Sequence, residues 1–106
     1  MASGLNGQNF TFNGYLPIDK KERKLKLLEL QRIVLSQNQT QIFIETPHRN
    51  DNLFSDIIEN CKDSIKLCVA INLTMADEYI KTFTVSEWRK NRINIGKHPA
   101  IFILGK

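Results

Sequence analysis

The sequence predicts a single α/β domain built on a mixed five-stranded sheet with helices packed against it. Segments with the two-residue period of strands alternate with segments of helical period along most of the chain. Two short apolar runs, over 42–44 and 65–71, are typical of buried strands. Each run gives way to polar residues, as strands do where they end at a binding edge.

The first half of the chain predicts a strand, a helix and a buried strand. Alternating residues over 9–14 indicate a half-buried strand. A helix begins at Asp19, with Glu22 placed as in a capping box, and extends to about Ser36. Its core-facing apolar stripe is expected to be Leu25, Leu28, Val34 and Leu35. The apolar run 42–44 then predicts a central strand with helices on both faces of the sheet.

The second half predicts a helix, three strands and a helical turn. The helix over 51–60 precedes the buried strand 65–71, a one-faced or edge strand over 79–85, a helical turn over 86–89 and a last strand over 100–104. Pro99 excludes further helix before the last strand. Strands that are joined by a helix are expected to pair in parallel, because a crossover of this length returns the chain in the same direction.

Length and composition indicate one compact domain over 1–106. The chain has 106 residues, of which 42% are apolar and 25% charged, and this fits one domain with a modest core. Because no apolar run approaches the roughly 18 to 20 residues that cross a bilayer, and the amino end lacks a secretory pattern, we expect a cytoplasmic protein without a membrane partner. Cys61 and Cys68 have neither CxxC spacing nor a ligand set with His48 and His98, so we expect two core thiols and no metal site.

A cluster of basic residues lies at the start of the first predicted helix. Its members are Lys20, Lys21, Arg23, Lys24 and Lys26, offset there only by Glu22, in a chain of net charge +4. Charge runs of this kind usually face solvent. The alternative is a small basic module without catalysis that binds RNA through these residues and Arg49.

The segment 45–50 interrupts the apolar pattern with groups that bind or titrate. It lies where a strand gives way to a helix, which is where α/β folds place their chemistry. Glu45 is close in sequence to His48 and Arg49, and two roles stay open for it: an ion pair that only holds the loop, or a ligand contact. Trp88 is expected to cap one end of the sheet rather than to stack on a base. The chain has neither GxGxxG nor a P-loop, so it has no evident phosphate-binding loop of its own.

Six segments, spread over nearly the whole chain, are similar to those of one known family. They are Ala2-Ser3-Gly4-Leu5, Phe10 to Pro17, the basic helix start, Glu45-Thr46-Pro47-His48-Arg49, Leu73-Thr74 and the closing strand from Pro99 to Gly105. Together they resemble the carboxy-terminal domain of the tetrapyrrole (corrin/porphyrin) methylase family, and in particular its branch of small-subunit ribosomal RNA cytidine 2'-O-methyltransferases. That branch has a Gly-Phe-Leu-Pro segment, here Gly14-Tyr15-Leu16-Pro17, and a Glu-Ser-Pro-His-Arg segment, here 45–49.

The resemblance implies the second domain of a two-domain α/β methyltransferase that holds S-adenosylmethionine between its domains and forms a homodimer. It implies that the cofactor lies at the strand ends, against Ile44, Glu45, Asn72, Leu73, Pro99 and Ala100. It places Tyr15, His48, Arg49 and the basic helix start nearer the substrate, and it implies no catalytic residue. The glycine-rich amino-terminal domain of the family has no counterpart in this chain. We therefore expect the 106-residue chain to be folded and catalytically inactive.

One segment departs from the family pattern. The ribosomal RNA branch has Glu-Leu-Thr-Lys where this chain has Asn72-Leu73-Thr74-Met75, so both charged members are lost. A cofactor contact through the main chain survives this change, whereas a role of either charged side chain does not. The substrate stays open between a tetrapyrrole and ribosomal RNA. A third option, independent of the resemblance, is a domain that pairs with itself through an exposed apolar surface.

Overall fold

The computed structural model describes Leu5 and residues 8–106, and these residues form strands and helices in the predicted order. The motif residues 2–4 lie outside the described residues. The elements are β1 (Phe10–Tyr15), α1 (Lys20–Gln37), β2 (Thr40–Ile44), a 3-10 helix (Pro47–Arg49), α2 (Asn50–Asn60), β3 (Lys66–Ile71), β4 (Tyr79–Thr84), α3 (Val85–Lys90) and β5 (Ala100–Gly105). Their bounds differ from the predicted ones by one or two residues.

The strands form one mixed sheet in the order β1-β2-β5-β3-β4, which confirms the predicted fold class. β1 and β2 pair in parallel, as expected for strands joined by a helix. β2 and β3 do not pair with each other, because β5 lies between them and is antiparallel to both. The expected parallel pairing of β2 with β3 is therefore wrong. The central position buries both faces of β5, of whose residues only Ile101 is half-buried.

β2 and β3 nevertheless run in the same direction, since each is antiparallel to β5. Their carboxyl ends and the amino end of β5 meet at one edge of the sheet, which we name the carboxyl edge. A main-chain hydrogen bond joins two of these ends, from the N–H of Asn72 to the carbonyl of Pro99 at 2.9 Å. The insertion of β5 thus brings together three segments that are far apart in the sequence.

The α-helices pack on one face of the sheet and form the main hydrophobic core there. Leu27 and Leu30 of α1, Ile57 of α2 and Trp88 of α3 are buried against strand residues such as Phe43. The other face carries a smaller cluster of Leu5, Cys68 and Ile103, with Ile42, Ile80 and Ile101 beside it. That cluster includes no helix residue of the described chain, so the expectation of helices on both faces is wrong. The apolar run of β2 reflects this second cluster instead.

The buried stripe of α1 differs from the predicted one. Leu25 is 60% exposed and Leu28 is 38% exposed, so these two assignments are wrong. The predicted positions that do pack against the core are Val34 and Leu35. The buried positions of α1 are Arg23, Leu27, Leu30, Gln31 and Val34. Because Arg23 and Gln31 have polar partners in the interior, a stripe sought among apolar residues alone is rotated away from the true one.

Several local predictions are confirmed. Asp19 is the N-cap of α1, and its side chain accepts the N–H of Glu22 at 3.0 Å. Cys61 and Cys68 are free and buried. Trp88 is fully buried, and its indole N–H donates to a main-chain carbonyl of β3 at 2.7 Å, so it has no exposed ring for a base to stack on.

The corrected stripe of α1 can be tested with two leucines that differ in burial. Leu27→Ala should lower the free energy of unfolding by about 2 to 5 kcal/mol, because it opens a cavity in the core. Leu25→Ala, on the exposed side of the same helix, should change it by no more than about 0.5 kcal/mol. Urea unfolding followed by circular dichroism measures both values. Equal losses for the two variants would contradict the packing described here.

Candidate functional site

The carboxyl edge holds a cavity of about 360 Å³, here named the central pocket. It is lined by Ile44, Glu45, Pro47, Ala70, Asn72, Leu73, Met75, Pro99, Ala100 and Ile101. All of the residues that the resemblance implies for the cofactor are among them, although they come from three separate segments of the chain. The structure thus brings these residues together at one place. That they contact a cofactor remains a prediction.

Four residues of the central pocket were not predicted: Pro47, Ala70, Met75 and Ile101. Ala70 lies two positions before Asn72, and Ile101 two positions after Pro99. Because side chains of a strand alternate between its faces, residues two positions apart share a face. The same step from Leu73 and Ala100 gives Ile71 and Phe102, which do not line the pocket, so the period alone does not single out Ala70 and Ile101. Pro47 and Met75 come from irregular segments, for which the sequence offers no such period.

The loop between β3 and β4 has two residues in the left-handed region of backbone conformation. They are Asn72, with φ 53°, and the β-branched Thr74, with φ 66°. Asparagine tolerates this region well, whereas a β-branched residue such as Thr74 adopts it at a cost of roughly 1 to 2 kcal/mol, so other contacts must hold Thr74 there. The N–H of Thr74 donates to the carboxylate of Glu78 at 2.8 Å. This contact helps to keep Leu73 and Met75 at the wall of the central pocket.

The carboxylate of Glu45 is buried and shared between two arginines. Its Oε2 accepts from Nη2 of Arg23 at 2.9 Å, and its Oε1 accepts from Nε of Arg49 at 3.3 Å. Oε1 also accepts the main-chain N–H of Thr46 at 2.7 Å. Arg23 in turn donates through Nη1 to Asp56 at 3.0 Å. Both oxygens of Glu45 therefore have protein partners, which favours the role of holding the loop over that of contacting a ligand.

A second cavity of about 420 Å³, the Tyr15 pocket, adjoins the central pocket. It is lined by Tyr15, Leu16, Pro17, Ile18, Glu45, Thr46 and Arg49, and Glu45 is common to both pockets. Two of the residues implied for the substrate side, Tyr15 and Arg49, thus lie together here. The third, His48, does not line the pocket but lies beside it, with Nε2 3.1 Å from Nη1 of Arg49.

Ion pairs engage several members of the basic cluster. Arg23 is buried between Glu45 and Asp56. Lys20 also pairs with Asp56, at 3.5 Å, and Lys26 pairs with Glu29 at 3.7 Å. The start of α1 therefore presents less uncompensated positive charge than the sequence indicates. This weakens the alternative of a basic module that binds RNA through this cluster.

Neither cysteine is a reactive nucleophile, and the described residues form no metal centre. Burial raises the pKa of the Cys61 thiol to about 12 and also raises that of Cys68, so neither is prepared to react as a thiolate. In the part of the chain that the structure describes, no group of three or more His, Cys, Asp or Glu side chains could hold a metal ion. None of the described helices is long and apolar enough to span a membrane.

Curated proteins with related sequences share one name, "Ribosomal RNA small subunit methyltransferase I". The protein from Vibrio cholerae is 35% identical over 86 residues, which are 81% of this chain and 28% of that protein. The protein from Buchnera aphidicola subsp. Schizaphis graminum is 34% identical over 106 residues, with 97% and 36% covered. The protein from Bacillus subtilis is 36% identical over 87 residues, with 82% and 28% covered. The chain thus spans about a third of the length of these relatives, and no family model matches it.

Solved structures that share the fold include methyltransferases. The methyltransferase CobJ superposes with a TM-score of 0.58 at 13% identity, over 99% of this chain and 44% of that one. Uroporphyrin-III C-methyl transferase from Thermus thermophilus, complexed with S-adenyl homocysteine, has a TM-score of 0.57 at 15% identity, over 99% of this chain and 48% of that one. At such low identity these likenesses show the fold alone.

Fold and pocket together define an α/β domain of the kind found in these methyltransferases, with a cavity where the ends of three strands meet. The related sequences narrow the class further. At 34 to 36% identity over most of its length, the chain is related to these ribosomal RNA methyltransferases, which confirms the resemblance to the tetrapyrrole methylase family that its motifs indicate.

Removing the charge of Arg23 should destabilise the domain strongly. Arg23→Met leaves the buried carboxylates of Glu45 and Asp56 without their main partner, and breaking such a pair costs about 3 to 5 kcal/mol. The control is Lys20→Met, since Lys20 also pairs with Asp56 but its side chain is 81% exposed, and it should cost no more than about 1 kcal/mol. Thermal and urea unfolding measure both. If Arg23→Met were as stable as the original chain, Arg23 would not be the main partner of the buried carboxylates of Glu45 and Asp56.

Both thiols should be protected from alkylation in the folded chain. Burial raises the pKa of Cys61 to about 12, so its thiol stays protonated at pH 8, and burial also limits access to both sulfurs. Mass spectrometry after treatment with iodoacetamide should show unmodified protein at pH 8 and two adducts after unfolding in urea. Modification of the folded chain at the rate of a free thiol would contradict the burial of these residues.

Proposed function

We propose that the chain is the carboxy-terminal domain of an S-adenosylmethionine-dependent methyltransferase that acts on ribosomal RNA, with the central pocket as one wall of the cofactor site. The observation that supports this most is the convergence of the residues implied by the family motifs on a single cavity. The bound S-adenyl homocysteine of the Thermus thermophilus enzyme, which shares the fold, supports the choice of ligand.

The central pocket suits the adenine part of this cofactor. Its volume of about 360 Å³ falls within the usual range of small-ligand sites. Ile44, Ala70 and Ile101 offer apolar surface for the faces of a flat ring. Main-chain groups at the strand ends can pair with the ring edge, while Glu45, whose oxygens are already engaged, contributes shape rather than charge. When bound, S-adenosylmethionine supplies an electrophilic methyl group.

The proposal includes a second wall that this chain does not itself provide. Transfer of a methyl group needs donor and acceptor held in line, about 3 to 3.5 Å apart. We assign the second wall to a glycine-rich amino-terminal domain, which the family resemblance implies and which the greater length of the relatives allows. A homodimer and a cytoplasmic location belong to the same proposal. The isolated chain is then folded and inactive.

Ribosomal RNA is preferred to a tetrapyrrole as the substrate because of the sequence relatives. Each of the curated matches is named for ribosomal RNA, whereas the tetrapyrrole enzymes share only the fold. The Tyr15 pocket adjoins the central pocket and offers an aromatic ring and a guanidinium group. A base can stack on the first, and a phosphate can pair with the second.

The cofactor pocket can be tested with two leucines of equal exposure. Leu73 and Leu28 are each 38% exposed, but only Leu73 lines the central pocket. Leu73→Asp places a carboxylate in the apolar wall and should weaken the binding of S-adenosylhomocysteine at least about tenfold, while Leu28→Asp leaves it unchanged. Amide chemical shifts in an NMR titration measure the affinity and locate the site. A failure of S-adenosylhomocysteine to shift the amides of the central pocket would refute the cofactor assignment.

The absence of activity in the isolated chain is a separate prediction. The purified chain should transfer no labelled methyl group from S-adenosylmethionine to small-subunit ribosomal RNA above a control without protein, because one wall cannot align donor and acceptor. Methylation above that control would show that the chain is a complete enzyme. In the same samples, cofactor affinity should be nearly independent of salt, whereas a basic RNA-binding module would bind RNA with an affinity that falls steeply as salt rises.

A further inference from the structure

A thioether lies in the apolar wall of the central pocket. Met75 lines this pocket together with Leu73, and 55% of the residue is exposed. It is the one methionine among the described residues, and it occurs where the ribosomal RNA branch of the family has a lysine. Neither the implied cofactor residues nor the implied substrate residues include it. The chemistry of its sulfur is therefore a feature of this chain that the proposed function does not use.

Two consecutive turns hold the main chain of Met75. Its N–H donates to the carbonyl of Asn72 at 3.0 Å, and its own carbonyl accepts the N–H of Glu78 at 3.1 Å. The first turn includes Thr74, whose left-handed backbone is held by the carboxylate of Glu78. The backbone thus keeps the thioether at the wall of the pocket, while solvent reaches the side chain. A chemical change at the sulfur alters this wall without altering the course of the chain.

Met75 is more accessible than the other sulfur atoms of the described residues. Cys61 is 3% exposed and Cys68 is fully buried, and burial raises the pKa of both thiols, so little thiolate forms. A thioether has no proton to lose before it is oxidised, and its exposure decides whether an oxidant reaches it. Met1, the other methionine of the sequence, lies outside the described residues. A peroxide should therefore oxidise Met75 in preference to either cysteine.

Oxidation would make this part of the wall polar. The sulfur of Met75 takes one oxygen atom from hydrogen peroxide and gives up two electrons, which yields a sulfoxide, while the peroxide is reduced to water. The sulfoxide oxygen is a hydrogen-bond acceptor. Among the lining residues, only Asn72 has a side-chain donor, and its Nδ2 lies 3.1 Å from Oδ2 of Asp77 and 3.2 Å from Nδ1 of His98. The lining side chains thus offer the new oxygen no free donor.

The lack of a donor affects binding rather than folding. In the free chain, water can hydrate a sulfoxide at position 75, so the free energy of unfolding should hardly change. A ligand that covers the side chain removes this water and leaves an acceptor unpaired, which lowers affinity. The sulfoxide also loses the favourable contact that a thioether makes with an aromatic ring. Oxidation should therefore weaken ligand binding without unfolding the domain.

We propose that Met75 is a site of oxidation by peroxides, and that its sulfoxide weakens ligand binding in the central pocket. This inference rests on the proposed function, because the ligand is the cofactor assigned to that pocket. It adds control of the pocket by oxidants. A lysine at this position has no sulfur to oxidise, so the control depends on a residue at which this chain departs from the family pattern.

The test compares the chain before and after treatment with hydrogen peroxide. Peptide mapping by mass spectrometry should show one added oxygen atom at Met75 and none at Cys61 or Cys68. An NMR titration with S-adenosylhomocysteine should show at least about fivefold weaker binding by the oxidised chain, with an unchanged midpoint of urea unfolding. The matched control is Met75→Leu, which keeps Met1 but has no thioether at the pocket. Whatever the affinity of this variant, peroxide should not alter it.

Equal affinities of the untreated and the oxidised chain would overturn the proposal. The same loss of affinity in peroxide-treated Met75→Leu would also overturn it, because another residue would then be responsible. Oxidation of either cysteine ahead of Met75 would contradict the selectivity on which it depends. If the untreated chain does not bind S-adenosylhomocysteine, the cofactor assignment fails and this inference fails with it. If only this inference is wrong, the untreated chain binds and oxidation leaves its affinity unchanged.

Discussion

The antiparallel insertion of β5 between β2 and β3 is the constraint on which the rest of the molecule depends. It separates two strands that run in the same direction and places Pro99 and Ala100 between their carboxyl ends. β1 is parallel to β2, and β4 is antiparallel to β3, so Tyr15 and Tyr79 lie on either side of the same edge. The Tyr15 pocket and the central pocket therefore follow one another along it.

Polar groups at the start of α2 hold this edge in place. Asp51 accepts the N–H groups of Ile95 and Gly96 at 2.7 and 3.0 Å. Asn50 donates from Nδ2 to the carbonyl of His98 at 2.7 Å. The segment that leads into β5 is thus fastened to the segment that follows β2. Acidic side chains are favourable at the start of a helix, where main-chain N–H groups are free. Here the carboxylate of Asp51 also accepts hydrogen bonds from the loop before β5.

The end of β2 is held by charge instead. Arg23 reaches from α1 into the interior and pairs with Glu45 and with Asp56 of α2. Buried ions are costly to desolvate and add little net stability, but they tolerate few alternative arrangements, because an unpaired one costs several kcal/mol. The network therefore fixes the direction in which the segment 45–49 leaves β2. Residues that stabilise the fold and residues that shape the pockets are in large part the same.

Local signals in the sequence were sufficient for the elements, whereas the residues of the central pocket were implied by the family resemblance. The period of each segment, the cap at Asp19 and the rule that chemistry gathers at strand ends depend on neighbours in the chain, and these were predictable. The buried side of α1 was not, because Arg23 carries a charge and its partners, Glu45 and Asp56, are 22 and 33 residues away. The central position of β5 depends on how all five strands pair with one another, and the sequence of a single strand does not determine that pairing.

The departure from the family motif at 72–75 is consistent with the geometry of this edge. In the left-handed conformation, asparagine is among the most readily tolerated side chains apart from glycine, and glutamate is less favourable. The side chain at 72 also lies beside the carboxylate of Asp77, to which the amide of Asn72 donates at 3.1 Å. A glutamate there would bring two carboxylates together and raise the energy of the loop. Asn72 and Asp77 are thus mutually compatible, and Met75 extends the apolar wall where the family pattern has a lysine. Asparagine at 72 and methionine at 75 remove charge from the central pocket but leave the main-chain groups at its rim in place. A ligand that forms hydrogen bonds with the backbone can therefore still bind there.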